Sequence, residues 1–405
     1  MNKQILVYLI SLLFLFLLYS CEKLLPPAPA ADMLMDAPVK GLTHQQHQIF
    51  LEGQDEFDEV YTAETGLGPI FVATSCGGCH AGDSKGHPFT ALTRFGQTDS
   101  TGNKFLAQGA PQLQHRALPG FIPESLPDGA STSKFIAPIT AGVGFLELVS
   151  EQDILAMADP NDADADGISG VPSWNKLPAF VTPAQGAITQ NGKYLCRFGR
   201  KAGNYNLFHQ TVAAFNNDLG ITTTYMPIDP YNYKQGTNPA PAGDPDVNDR
   251  SVNATVFYLQ TLQAPLQRDK DNPEVIRGKN VFLQIGCESC HKQTLRTGFS
   301  NVESLSNKDF HPYTDLLLHD MGAELNDNYT EGSALATEWR TTPLWGVGLS
   351  ANAQGGVMYL MHDGRARSFD EAILLHGGEG NGSRTKYKQL SQTDKQALIK
   401  FLESL

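Results

Sequence analysis

Apolar residues return every three to four positions in four stretches of this chain, and each such stretch predicts a helix. Gln46 to Thr62 carries Ile49, Phe50, Phe57, Val60 and Tyr61, and Val252 to Leu262 carries Val252, Val256, Phe257 and Leu259. A third helix has Asn272 as cap and Pro273 at its first position, with Val275, Ile276, Phe282 and Ile285 on its apolar face. The fourth begins at Ser391, with Asp394 three residues on, and runs through Ala397, Leu398, Phe401, Leu402 and Leu405. A shorter helix opens on Ser368 and Glu371 as a capping box and stops at Gly377. The segment from Lys234 to Asp249, rich in Pro, Gly, Asn and Asp, reads as a surface loop. One stretch has no period: Ile5 to Tyr19 is almost continuously apolar after Lys3, which fits the core of an export signal.

Cys21 follows that run in the manner of a bacterial lipoprotein box, with Tyr19 where a small residue is usual. The expectation is a signal at 1–20, acylation at Cys21 and a Pro- and Ala-rich tether over 21–45; an ordinary signal peptide or an uncleaved anchor is the rival. Location would then be the periplasm, with a membrane contact through the lipid. The 405 residues exceed what one core usually serves, and 38 Gly and 24 Pro imply much loop. A net charge of −13 argues against nucleic acid as a partner and is compatible with docking of a basic electron carrier.

Two pentads turn this outline into chemistry: Cys76-Gly-Gly-Cys79-His80 and Cys287-Glu-Ser-Cys290-His291. Cys-x-x-Cys-His is the attachment motif of c-type haem, two thiols adding to the vinyl groups while the His ligates the iron. A redox dithiol or half a zinc site is the plainer reading, but neither requires a His after the second Cys in both copies. With a helix before each motif and a closing helix at the end, the predicted fold is mainly α: two cytochrome c-like haem domains with long loops, at 46–265 and 266–405. Cys196 is left over and reads as a small buried hydrophobe.

The second iron ligand decides what each haem does. For the haem at His291 the preferred candidate is Met321, with Met358 and Met361 as rivals. For the haem at His80 no ligand stands out, since His87 is too near in sequence and His115 and His209 read as ordinary histidines, so an open iron is expected. Glu147, inside the apolar run Val143–Leu148, is the candidate proton-moving carboxylate beside it; the plainer reading is a structural carboxylate near an Arg. Asp162, Asp164 and Asp166, followed by Gly167, match the front half of a calcium loop, although Ser173 stands where an EF-hand has Glu. Arg340, Arg365 and Arg367 are candidates for haem propionates or for surface ion pairs.

The stretches Gly66–Pro69, Asp159–Gly170, Pro312–Gly322, Glu338–Thr341, Pro343–Gly346, His362–Ala366 and His376–Glu379 together resemble the bacterial di-haem oxidoreductases, a family also labelled thiol oxidoreductases. That family is distantly similar to the di-haem cytochrome c peroxidases. The resemblance implies a reactive haem at His80, a relay haem at His291, calcium between the two and a small periplasmic electron donor. One departure is visible: where the family usually has an aromatic after Arg197-Phe198-Gly199, this chain has Arg200. The expected function is a peroxidase-like haem oxidoreductase acting on a small molecule. Its rivals are a pure electron carrier and a partner-dependent oxidase of thiols or proteins.

Overall fold

The computed structural model describes residues 33–83, 85–97, 103–235 and 245–405, together with Gln4 and Ala30. Apart from Gln4, the expected export signal at 1–20 lies outside the described residues, as do Cys21 and most of the expected tether before Met33. Among the described residues no helix is long and apolar enough to cross a membrane. Met35–Leu405 form one compact unit.

Its helices are α1 (His44–Asp58), α2 (Val143–Glu147), α3 (Glu151–Ala156), α4 (Leu207–Leu219), α5 (Asp249–Thr261), α6 (Pro273–Gln284), α7 (Ser350–Ala353), α8 (Phe369–Leu374), α9 (Asn381–Gln389) and α10 (Gln392–Ser404). Its strands are β1 (Ile70–Phe71), β2 (Leu92–Gly96), β3 (Arg116–Ala117), β4 (Ser131–Phe135), β5 (Ser173–Asn175), β6 (Thr189–Gln190), β7 (Lys193–Cys196), β8 (Leu295–Arg296), β9 (Asp309–Phe310), β10 (Leu318–Asp320) and β11 (Glu338–Arg340). They form antiparallel pairs β1–β3, β2–β4, β8–β9 and β10–β11, and one three-stranded sheet in the order β5-β7-β6.

This corrects the expected fold class. The chain is 35% helical and 13% strand, a mixed α/β arrangement with small sheets rather than mainly-α cytochrome domains. The physical reason is length. The strands are two to five residues long, too short for an alternating pattern to register in sequence. Several also pair with partners tens of residues away, as when Leu92 pairs with Phe135.

The predicted caps form as read. Asn272 accepts from Glu274 N ahead of Pro273, and Ser391 accepts from Asp394 N. Thr43, with Gln46, makes a full capping box for α1, which ends at Asp58 and leaves Val60 exposed. At α8 Ser368 accepts from Glu371 N, but the Glu371 carboxylate takes Arg367 N instead of closing the box, and the helix stops at Leu374. Residues 35–39 of the predicted tether are packed: Met35 and Val39 are buried and Val39 N bonds Thr261 O.

Two helix crossings repeat the same contacts. In α1 a Cβ on Gly53 would run into the backbone of Ala254 in α5; in α6 a Cβ on Gly278 would run into the backbone of Ala397 in α10. Four residues after each Gly stands a Phe, and four residues after each Ala another aromatic. Phe57 meets Tyr258 and Phe282 meets Phe401, both at 5.4 Å between ring centres. The same Phe residues then sit 6.0 Å from the His80 ring and 6.4 Å from the His291 ring.

Between the crossings, one hydrophobic cluster joins Phe50, Phe57, Leu146 and Tyr258 to Leu295, Phe310, Leu316 and Trp345. A polar clamp adds to it: Asp327 accepts from Ser133 Oγ at 2.5 Å, His362 Nε2 at 2.7 Å and Arg365 Nη2 at 2.9 Å. Burial alone would raise Asp327, but these donors hold it at about 2, while burial keeps His362 low and neutral.

Two outcomes follow from this packing. Gly278→Ala gains about 1 kcal/mol of helix propensity but overpacks the crossing, and we expect a net loss of about 1–3 kcal/mol, read by urea unfolding. A variant as stable as the wild type would show the crossing to be looser than described. Asp327→Asn should lose about 1–2 kcal/mol near neutral pH, allowing for partial solvent screening. Because the folded pKa lies below the ordinary 3.8, that stabilisation is present above 3.8 and lost as pH falls toward 2. A wild-type-minus-variant difference that stays constant down to pH 2 would exclude the charge as its source.

Candidate functional site

Both pentads are tight turns set by the helix before them. At the first, Cys79 N and His80 N both bond Cys76 O, at 3.0 and 2.9 Å, and Gly77 N bonds Phe57 O at the end of α1. At the second, Gly286 at φ 90° turns the chain out of α6, and His291 N bonds Cys287 O at 3.0 Å. The turns place two cysteines and a histidine within one five-residue bend in each case.

The two histidines are held differently. His291 donates from Nδ1 to the carbonyl of Tyr313 at 2.9 Å, which fixes the proton on Nδ1 and leaves the Nε2 lone pair free for a metal. The buried Nδ1 of His80 makes no well-formed hydrogen bond. Burial lowers both to about 4; for His80 the Pro138 carbonyl opposes this and the Arg200 charge reinforces it. Neutral imidazoles with an available lone pair are what an iron requires.

The thiols do not suit a redox pair. Burial pushes Cys79 up to about 11 and Cys287 up to about 12, and raises Cys76 further still, whereas a reactive dithiol needs a stabilised thiolate. Neither does a four-ligand zinc set form. Among the described residues the metal-competent groups are Cys290–Asp315–His319 and Asp159–Asp162–Asp164. In the first of these His319 is clamped between Asp315 at 2.8 Å and Glu379 at 2.5 Å. Burial opposes its charge, but bonds to Asp315, Cys290 and Glu379 win and raise it well above the ordinary value. A protonated imidazole is not a ligand.

The predicted ligands are distributed unevenly. Met321 packs with Phe135, Leu325, Tyr329 and Trp339 and reaches Gly380 beside His376, Met361 packs both there and in the cluster that contains Cys287, and Met358 packs in the latter alone. A residue missed in sequence shares that neighbourhood. His376 follows α8, which packs in the Cys287 cluster, and precedes α9, whose Lys386 acts on Cys287. Its Nδ1 donates to Ala372 O at 2.7 Å, burial keeps it neutral, and its charge would be felt at His291. It is therefore presented as His291 is, with Nε2 free. The signal was there in the His after a capped helix, but a ligand search confined to Met passes over it.

No histidine on the N-terminal side is presented so. His87 and His209 each accept at Nδ1 from a backbone N–H, from Phe89 and Tyr205 respectively, which places the proton on Nε2. His115 is exposed. Met226, also missed, packs in the cluster that contains Cys76 and Cys79.

Glu147 has both oxygens engaged: Leu207 N donates at 2.7 Å, at the start of α4, and Gln260 Nε2 at 2.6 Å, from α5. Burial raises its pKa against these bonds and the nearby Arg197. The geometry gives it a tie between helices. Of the acidic loop, Asp162 and Asp164 come together with Asp159, while Asp166 turns to cap Ile168 N at 2.8 Å. Arg365 is committed to Asp363 and Asp327, and exposed Arg367 lies over the Tyr359 ring at 4.1 Å. Arg340 alone of the three is deeply buried, and Arg200, the departure noted in sequence, is buried with it.

Residues 131–405 match the family described as "Di-haem oxidoreductase, putative peroxidase". The first pentad precedes that stretch; the second, with His376, Arg200 and Arg340, lies inside it. No curated protein matches the chain. Among solved structures, a hydrazine synthase of Kuenenia stuttgartiensis is similar over 94% of this chain and 95% of that one, at 12% identity and a TM-score of 0.39. Since the matched stretch exceeds half of its length, the chain belongs to the di-haem oxidoreductase family.

Proposed function

We propose that the protein is a periplasmic c-type oxidoreductase with haem bonded to Cys76 and Cys79 at one site and to Cys287 and Cys290 at the other. His80 and His291 are the proximal ligands. The observation that carries this reading is the His291–Tyr313 bond inside a Cys-x-x-Cys-His turn, an imidazole whose tautomer is already set for a metal. When bound, haem supplies an iron that exchanges electrons and, where a position stays open, takes up a small molecule. The chain's own residues make the two sites unequal. His376 offers a second oriented imidazole at the C-terminal site, which suits a relay that only passes electrons. At the N-terminal site the nearby histidines keep their protons on Nε2, which suits a site open to a small oxidant such as peroxide.

Export through the 1–20 signal and acylation at Cys21 would put the protein where c-type haem is attached, facing a small electron-donor protein. A calcium ion at the 159–166 loop would take Asp159, Asp162 and Asp164 as its carboxylates. A second reading, electron transfer alone, is favoured by Met226, which packs with Cys76 and Cys79 and would close the first iron.

The test is the absorption spectrum of protein matured with haem. We expect two haems that survive denaturation, seen by haem staining, and none in the paired Cys→Ser variants. Cyanide should convert one haem from high to low spin; inertness in every redox state, with cyanide binding gained in Met226→Leu, would establish the carrier reading instead. His376→Ala should open the C-terminal iron to carbon monoxide, while Met321→Leu leaves its spectrum unchanged. A sulfur-to-iron band in the wild type that Met321→Leu abolishes would return the ligand to Met321.

A further inference from the structure

Buried positive charge in this protein is mostly compensated. Arg94 pairs with Glu331 at 3.1 Å. Lys201 gives its ammonium to the carbonyls of Leu335, Ala336 and Glu338, and Arg197 bonds those of Leu146, Glu147 and Val149. Three cations are treated differently. Arg200, 5% exposed, spends Nε and Nη2 on the single carbonyl of Ile136, at 3.1 and 2.8 Å. Arg340, 7% exposed, bonds Gly199 O through Nε and Thr341 O through Nη1. Among the described residues no acceptor meets Arg200 Nη1, Arg340 Nη2 or the Nζ of half-buried Lys85, and none of these three nitrogens is sealed away from solvent.

These three lie along one seam. Gly86, next to Lys85, bonds Ala137 O; Arg200 bonds Ile136 O; Arg340 N bonds Arg200 O at 3.1 Å. The same segment supplies the Pro138 carbonyl to His80. Arg340 continues into Thr341, whose carbonyl accepts from Thr314 Oγ1 at 2.6 Å, beside the Tyr313 that orients His291. The carboxylates that act on the seam from farther off are engaged, Asp363 with Arg365 and Asp315 with His319. Burial lowers all three cations, Lys85 to about 7, Arg200 to about 9 and Arg340 to about 10. Like charges gathered without a counter-ion are costly in a protein interior. An anion with several acceptor oxygens would repay that cost, and a planar guanidinium fits a carboxylate.

We propose that Lys85, Arg200 and Arg340 form a cradle for carboxylates, filled by the propionate groups of the haem held at His80. The proposal rests on the di-haem reading and adds a consequence. Positive charge beside an iron centre favours its reduced form, so the cradle raises that haem's midpoint potential. Arg200 and Lys85 act through position and charge, not as ligands.

The test uses the haem-loaded full chain in a spectroelectrochemical titration, the first haem's wave being assigned from a Cys287→Ala/Cys290→Ala variant. With both haems still attached, Arg200→Gln should lower the midpoint potential of the haem at His80, and Arg200→Lys should restore most of the shift. Lys85→Gln should move the same wave in the same direction, and it carries the test if Arg200→Gln does not fold. Potentials unchanged in both Gln variants would overturn the proposal. Inorganic phosphate, titrated into the wild type, distinguishes a free oxyanion as the source: we expect no saturable shift. A saturable shift that Arg200→Gln abolishes would overturn the propionate assignment. A wild type that attaches no haem would instead defeat the di-haem reading itself.

Discussion

A glycine pressed against another helix's backbone fixes where everything else in this protein can stand. Gly53 against Ala254 and Gly278 against Ala397 allow two helices to cross without a side chain between them. One turn later on each helix an aromatic is brought against its counterpart, and the Phe of each pair lies beside the pentad histidine. The second pentad turn then starts at the end of its helix, and the first, 18 residues beyond α1, returns to that helix's end, where Gly77 N bonds Phe57 O. Histidine position is thus set by helix approach, and a methyl group at either Gly would be felt at the pentad histidine beyond it.

Sequence pattern and structure agree where the determinant is local. The caps at Asn272 and Ser391 are decided by one side chain and the first turn beyond it, so they can be read off the chain. The pentads are legible because their five residues are contiguous and occur twice. The strands are not, because two to five residues do not carry a period and their partners are chosen by tertiary packing. The same distinction holds within the site. Three alternating Asp suggested one set of carboxylates, but a left-handed turn at Asp162 (φ 47°) recruits Asp159 and sends Asp166 to a backbone N–H. Glu147 stood out correctly as a carboxylate among apolar residues; that its oxygens belong to Leu207 and Gln260 depends on α4 and α5, some sixty and more than a hundred residues on.

Polar groups do as much as apolar clusters to hold the loops that carry the chemistry. Glu379 accepts from Ser169 N and Oγ, from Asp320 N and from His319. One carboxylate thereby joins the segment after the acidic loop, β10 and the turn behind His376. Asp327 does the equivalent for β4 and the His362–Arg365 turn. Such clamps are specific as well as stabilising: removing one partner strands the rest in a low-dielectric setting. They explain how a chain with so much Gly and Pro keeps single-residue precision in its loops.

The two pentads look identical in sequence, yet the hydrogen bond behind each histidine separates them. Donation from His291 Nδ1 to the Tyr313 carbonyl makes that imidazole a stronger donor to a metal and locks its ring. His80 Nδ1 has only the poorly aligned Pro138 carbonyl, so on the proposed reading its imidazole would be the weaker donor of the two. On that reading, His376 would offer a second oriented imidazole at the C-terminal site, which would suit a centre that only passes electrons. On the same reading, the cationic seam of Lys85, Arg200 and Arg340 would favour the reduced form of the haem at His80. Electrons delivered at the C-terminal site would therefore run downhill toward the N-terminal one. Direction in this molecule would come from one carbonyl and three unneutralised cations, none of which belongs to either attachment motif.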